Sequence, residues 1–196
     1  MKKIIFLLTF VISSHLWASN HSLDSTIDKH QSEFENVAMT IWDLAEVGYQ
    51  EYESSKLLQN SLKDHGFRIQ TNVADIPTAF IAEYGSGSPV IAILGEFDAL
   101  PGVAQSASPF KEPYKDNQAG HACGHHLFGA GSAWSSVVIK DWMKANNIKG
   151  TIRFYGTPAE EGGSGKVYMT RAGLFNDVDV ALHWHPGSVS HARPRT

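Results

Sequence analysis

From Pro89 the chain runs Val90, Ile91, Ala92, Ile93, Leu94 without a polar side chain. A half-buried strand alternates apolar and polar residues, because successive side chains point to opposite faces of the sheet. An uninterrupted apolar run therefore predicts a central strand covered on both faces, which requires helices above and below the sheet. Directly after it come Gly95, Glu96, Phe97, Asp98, Ala99, Leu100 and Pro101. In open α/β sheets ligands gather beyond the carboxyl ends of the strands, so Glu96 and Asp98 are well placed for chemistry.

The rest of the chain supplies elements around that strand. Apolar residues at Ile27, Phe34, Val37, Ala38, Ile41, Leu44 and Ala45 recur at helical spacing from Ser25 to about Val47. A second helix is expected from Ser54 to His65, stopped by Gly66. Strands are expected at 67–73 and 78–84, then, beyond the apolar run, at 151–155 and 178–183. Between the last two, Lys166–Leu174 predicts a short helix. A Ser-, Pro- and Gly-containing stretch from Gly102 to Gly120 reads as an exposed loop. The segment at Cys123 opens a long helix to about Asn146, with Leu127, Ala130, Trp134, Val138 and Trp142 on its core stripe. Strands alternating with helices give an α/β fold with a largely parallel or mixed central sheet.

With 196 residues the chain can build one domain with a real core. Its net charge of -4 and scattered Lys and Arg offer no basic patch, so nucleic acid is a poor candidate partner. Lys2 and Lys3, the apolar run Ile4–Ile12 and small residues at Ala18 and Ser19 have the pattern of a secretory signal, cleaved after Ala18. Ser13, Ser14 and His15 end the run well short of the roughly 20 residues a membrane span needs. The expectation is a periplasmic or secreted protein with no lasting membrane anchor. In such an oxidising compartment the lone Cys123 has no disulfide partner within the chain. It is then either a metal ligand or a buried, inert thiol.

Three clusters fall at strand ends or helix starts: Cys123 with His125, Glu160 with Glu161, and His183 with His185. Thiolate, imidazole and carboxylate together form the ligand set of a transition-metal site. If Cys123 opens the helix, the positive end of the helix favours its thiolate. Neighbouring carboxylates in a tight loop point different ways, so one can hold an ion while the other faces water, the division of labour a hydrolase needs. Each cluster also has a plainer reading: a buried cysteine beside surface histidines, a solvated acidic pair, two partly buried histidines. A thiol oxidoreductase is disfavoured, since no Cys-x-x-Cys pair is present.

Four motifs, Gly-Glu-Phe-Asp-Ala-Leu-Pro-Gly (95–102), Gly-His-Ala-Cys-Gly-His (120–125), Thr-Pro-Ala-Glu-Glu-Gly-Gly (157–163) and Leu-His-Trp-His-Pro-Gly (182–187), occur in that order. Together they resemble the amidohydrolase branch of the aminoacylase/carboxypeptidase-like, M20-type di-metal peptidases, over about Ile41 to Gly187. The resemblance implies an α/β catalytic domain interrupted by a dimerisation domain, and two divalent ions, Mn²⁺ or Zn²⁺. It implies hydrolysis of the amide in N-acyl or N-aroyl amino acids, such as aminobenzoyl-glutamate, or in short peptides. Cys123 matches a ligand bridging the two ions, His125 a ligand of one, Glu160 the general base, Glu161 a metal-binding carboxylate and His183 the next ligand, with His185 as the alternate. Asp98 matches a carboxylate that supports a ligand from behind.

Two positions depart from the wider family. Glu96 stands where a histidine ligand is usual, and His126 where many of the amidohydrolase branch carry Asp. The resemblance also divides the chain into a signal peptide (1–18), a helical lead-in (19–40), the first part of a catalytic domain (41–187) and a polar tail (188–196). It implies that the inserted domain, through which relatives form homo-oligomers, and a last histidine ligand lie outside this sequence. The competing expectation is a truncated, metal-binding chain without activity.

Overall fold

The computed structural model describes residues 9–114 and 118–190, with side chains from Leu23 onward. Its elements are α1 (Thr9–Leu44), α2 (Tyr52–Asp64), β1 (Arg68–Thr71), β2 (Phe80–Ser86), β3 (Val90–Gly95), α3 (His125–Ala145), β4 (Gly150–Gly156), α4 (Glu160–Gly163), α5 (Gly165–Arg171) and β5 (Val180–Leu182), with a 3₁₀ turn at Val73–Asp75. The strands lie in the order β1-β2-β4-β3-β5. β3 runs parallel to both β4 and β5, while β2 pairs antiparallel with β1 and β4. The sheet is therefore mixed: its parallel half contains the apolar run, and its antiparallel half is the β1-β2 hairpin and its junction with β4.

Alternation along the strands feeds two cores. Phe80, Ala82, Ile93, Ile152 and Phe154 face one way, against Phe34, Val37 and Ile41 of α1, Leu58 and Leu62 of α2, and Ala130, Ala133 and Val137 of α3. Ile81, Ala92, Leu94 and Tyr155 face the other way, against Val73, Ile76 and Met169. Both faces of β3 are covered, as its unbroken apolar run requires. Ile41, Leu58 and Leu62 are fully buried; each contributes on the order of 1.5–3 kcal/mol by leaving water. β5 is different, forming a sheet edge on which Val180 and Leu182 stay about half exposed.

The element boundaries depart from the sequence reading in three places. α1 starts at Thr9, not near Ser25; residues 1–8 of the signal-like segment, and 191–196 of the tail, lie outside the described residues. Among the described residues no helix is long and apolar enough to cross a membrane. α3 starts at His125, after Gly124 in a left-handed conformation (φ 77°), so Cys123 precedes the helix instead of opening it. On α3 the exposed Leu127 is off the core stripe, and Phe128 takes its place in the interior.

α1 and α3 are tied by a buried polar contact. Nε2 of His30, 6% exposed, lies 2.9 Å from Oδ2 of Asp141, whose other oxygen lies 2.6 Å from Nζ of Lys140. Partial burial alone would raise the Asp141 carboxyl, but Lys140 and His30 hold it down at about 2, against an ordinary 3.8. A depressed carboxylate stabilises the fold at pH above its unfolded value, and loses that contribution as pH falls through its folded one. Asp141→Asn is expected to cost about 1–2 kcal/mol at pH 7. In urea melts the gap between the two proteins should shrink below about pH 4 and close near 2; equal stability at pH 7 would contradict this.

Candidate metal centre

Because β3, β4 and β5 are mutually parallel, their carboxyl ends open onto one edge of the sheet. β3 delivers Glu96 and Asp98 there, β4 delivers Glu160 and Glu161, β5 delivers His183 and His185, and the start of α3 brings His125. Close approach of α3 to β3 depends on Gly129, where an added Cβ would sit 2.7 Å from the Glu96 carbonyl oxygen.

His125 lies at the centre with no exposed surface. Its Nδ1 is 2.9 Å from Asp98 Oδ1 and 3.0 Å from the Asp98 carbonyl oxygen. Ionised carboxylate and carbonyl only accept, so Nδ1 carries the proton and, in neutral imidazole, Nε2 presents its lone pair to the site. That Nε2 faces Nε2 of His185 at 3.4 Å. His185 Nδ1 lies 2.9 Å from the carbonyl oxygen of Pro186, which fixes the same tautomer. Two imidazole lone pairs pointing at each other need a proton or a cation between them. Cys123, His125 and His185 each offer a donor atom, all within 4.8 Å of one another. A second such group, Glu96, His125 and Glu160, shares His125 with the first.

The carboxylates around this point are incompletely bonded. Glu96 is 2% exposed; one oxygen is taken by the Lys166 ammonium, while Oε2, 3.0 Å from His125 Nε2, makes no well-formed hydrogen bond. Glu161 Oε1 is likewise buried without a partner. Buried acceptors left unsatisfied are costly and call for an unseen ligand. The residues present therefore fit a divalent cation: soft and borderline donors from Cys, His and carboxylate, shared over two adjacent groups.

Local charge sets the protons. Burial works against charge on His125, yet Asp98 and Glu96 raise it to about 10. Burial would raise Glu96, but His125 and Lys166 hold it at about 2. The Cys123 thiol is pushed up to about 11, first by its hydrogen bond to Glu161, then by burial and the surrounding carboxylates. This reverses the expectation of a helix-lowered thiol: Cys123 precedes the helix and faces anions.

The two histidines after β5 are also ordered differently from the sequence expectation. The strand stops at Leu182. His185 turns into the donor cluster, whereas His183 packs its ring on Phe128 and reaches only Glu96, at 3.4 Å. His126 packs against Trp42 and His121; burial holds it at about 4, so it is neutral at pH 7. Lys166 had no sequence signal, because a lysine in a short helix after a Gly-rich loop is ordinarily solvated.

Residues 92–194 match peptidase family M20/M25/M40. The chain belongs to this family. Among M20 relatives, a p-aminobenzoyl-glutamate hydrolase of Escherichia coli is 43% identical over 165 residues, covering 84% of this chain and 34% of the relative. Hippurate hydrolase of Campylobacter jejuni is 29% identical over 157 residues, covering 79% of this chain and 39% of the relative. The chain thus spans little more than a third of the length of these relatives. The crystal structure of Bacillus subtilis YXEP, a dinuclear metal-binding M20 peptidase, superposes with a TM-score of 0.58 at 30% identity, over 78% of this chain and 43% of that one.

Since Cys123 and His125 both hold protons well above neutrality, cation uptake must expel them. Calorimetric titration with Zn²⁺ at pH 7, in buffers of different ionisation enthalpy, is expected to show release of roughly two protons for the first ion. Uptake without proton release would mean that other residues bind it.

Proposed function

We propose that this chain carries the metal-holding part of the active site of an exported M20 hydrolase that cleaves the amide of N-aroyl or N-acyl amino acids. The observation that carries the reading is the pair of Nε2 lone pairs on His125 and His185, confronting each other beside Cys123 with two unsatisfied carboxylate oxygens nearby. The names of the two relatives, hydrolases of aminobenzoyl-glutamate and hippurate, support an aroyl group joined to an amino acid as the substrate class.

In this reading Cys123, His125, Glu161 and His185 hold two divalent ions, Mn²⁺ or Zn²⁺, with Glu96 as a further carboxylate between His125 and Lys166. His185 replaces His183 in the ligand role. Ions bound there would acidify a water molecule and polarise the amide carbonyl. Glu160, exposed at the mouth, accepts the proton of the attacking water and returns it to the departing amine, the task of a general base and then a general acid. Asp98 orients His125 through Nδ1 and leaves Nε2 free for the ion.

The roles separate by mutation. In turnover assays with aminobenzoyl-glutamate and added Mn²⁺ or Zn²⁺, Glu160→Gln is expected to lower kcat by roughly 10²–10⁴-fold with ion binding kept. Glu161→Gln and His185→Ala are expected to weaken ion binding by roughly 10-fold or more, and His183→Ala by much less. Ion binding without turnover of any acyl-amino acid or dipeptide would favour the alternative, a metal-binding chain without activity. Ion binding undisturbed by His185→Ala but lost in His183→Ala would reverse the histidine assignment.

A further inference from the structure

Glu51 has no exposed surface, although it stands directly before α2, where a carboxylate would ordinarily be solvated. Carboxylates are almost never buried this completely without partners. Its partners lie far along the chain: Oε1 accepts the backbone N–H of Ala159 at 2.8 Å, 108 residues away, and Oε2 accepts the hydroxyl of Thr78 at 3.0 Å. Burial raises its carboxyl above the ordinary value, so the position is maintained against a desolvation cost.

The frame around Glu51 is braced. Ser55 donates its hydroxyl to the Thr78 carbonyl oxygen, linking α2 to the lead-in of β2. Tyr49 donates its hydroxyl to the Gly163 carbonyl oxygen at the far end of the acidic loop. Gly48 is pressed against Ala159, where an added Cβ would come within 3.1 Å of its Cα and Cβ. Ala159 itself sits in the left-handed region (φ 55°), which a non-glycine residue holds only when its surroundings enforce it. On the other side of Glu160, the Glu161 N–H is held at 2.8 Å by Asp98 Oδ2.

We infer that Glu51 is a positioning residue: with Asp98 it suspends the acidic loop between two buried carboxylates, one on the amide before Glu160 and one on the amide after it, and so sets where the Glu160 carboxylate stands. The catalytic part of this inference rests on Glu160 being the proton acceptor; the positional part does not. What matters is the reach of an acceptor oxygen, not the charge. Glu51→Gln keeps an oxygen for Ala159 and gives Thr78 an amide donor, whereas Glu51→Asp keeps the charge but withdraws the acceptor by one methylene.

The test compares Glu51→Gln, Glu51→Asp and Glu51→Leu in the whole chain by hydrogen–deuterium exchange, reading residues 157–163 against β4 as an internal reference, together with kcat and KM for aminobenzoyl-glutamate. Exchange in the loop is expected to rise roughly tenfold in Glu51→Asp and Glu51→Leu, the value of one lost hydrogen bond, with β4 unchanged and Glu51→Gln close to the parent. Correspondingly, kcat should fall in the Asp and Leu variants with KM little altered, and be rescued by Gln. Loop protection kept in Glu51→Asp, or loosening of β4 and the loop alike, overturns the inference. If Glu51→Leu does not fold, the Gln and Asp pair still decides. A parent protein that binds ions but turns nothing over would defeat the hydrolase reading, and the exchange measurement would still judge Glu51.

Discussion

Asp98 carries more of this structure than any other side chain. Fully buried at the end of β3, it gives one carboxylate oxygen to the ring N–H of His125 and the other to the backbone N–H of Glu161. A single carboxylate thereby sets the tautomer of the central imidazole and the course of the loop that supplies both glutamates. Charge-assisted bonds of this kind are roughly twice as strong as neutral ones, and in a buried setting they fix geometry as well as energy. Remove Asp98, and the imidazole and the acidic loop lose their common anchor.

The arrangement is possible because the sheet is divided. Its parallel half has apolar strands covered on both faces and brings three chain segments to one edge; its antiparallel half closes the flank and carries the ion pairs of Arg153 with Glu83 and Asp177. Charged groups at the site sit in a rigid apolar surround, with Phe97 and Phe128 wholly buried beside them. Fixed donors in such surroundings cannot relax to satisfy themselves, so Glu96 Oε2 and Glu161 Oε1 remain open. A site built this way is held ready for a cation before one arrives.

Much of this was legible in the sequence. The unbroken run at Val90–Leu94 identified the central strand, and the four ordered motifs placed Cys123, His125, Glu160 and Asp98 at one edge. Less legible was anything that depends on where a strand stops. Two residues apart on a continuing strand, His183 and His185 would share a face; the strand ends at Leu182, and only His185 enters the cluster. The Cys123 thiol was misjudged for a similar reason: a start two residues later moves it from the helix end into the field of Glu161. Glu51 and Lys166 gave no signal, because their partners lie 108 and 70 residues away.

The chemistry of this site stands on a cation fitting between Cys123, His125 and His185. Anomalous diffraction from crystals of the whole chain grown with Zn²⁺ tests this directly. The expected result is a peak about 2.0–2.1 Å from Nε2 of both His125 and His185 and about 2.3 Å from the Cys123 sulfur, with His125 Nδ1 still on Asp98. Zinc bound elsewhere, or through His183 with His185 turned to solvent, would contradict it.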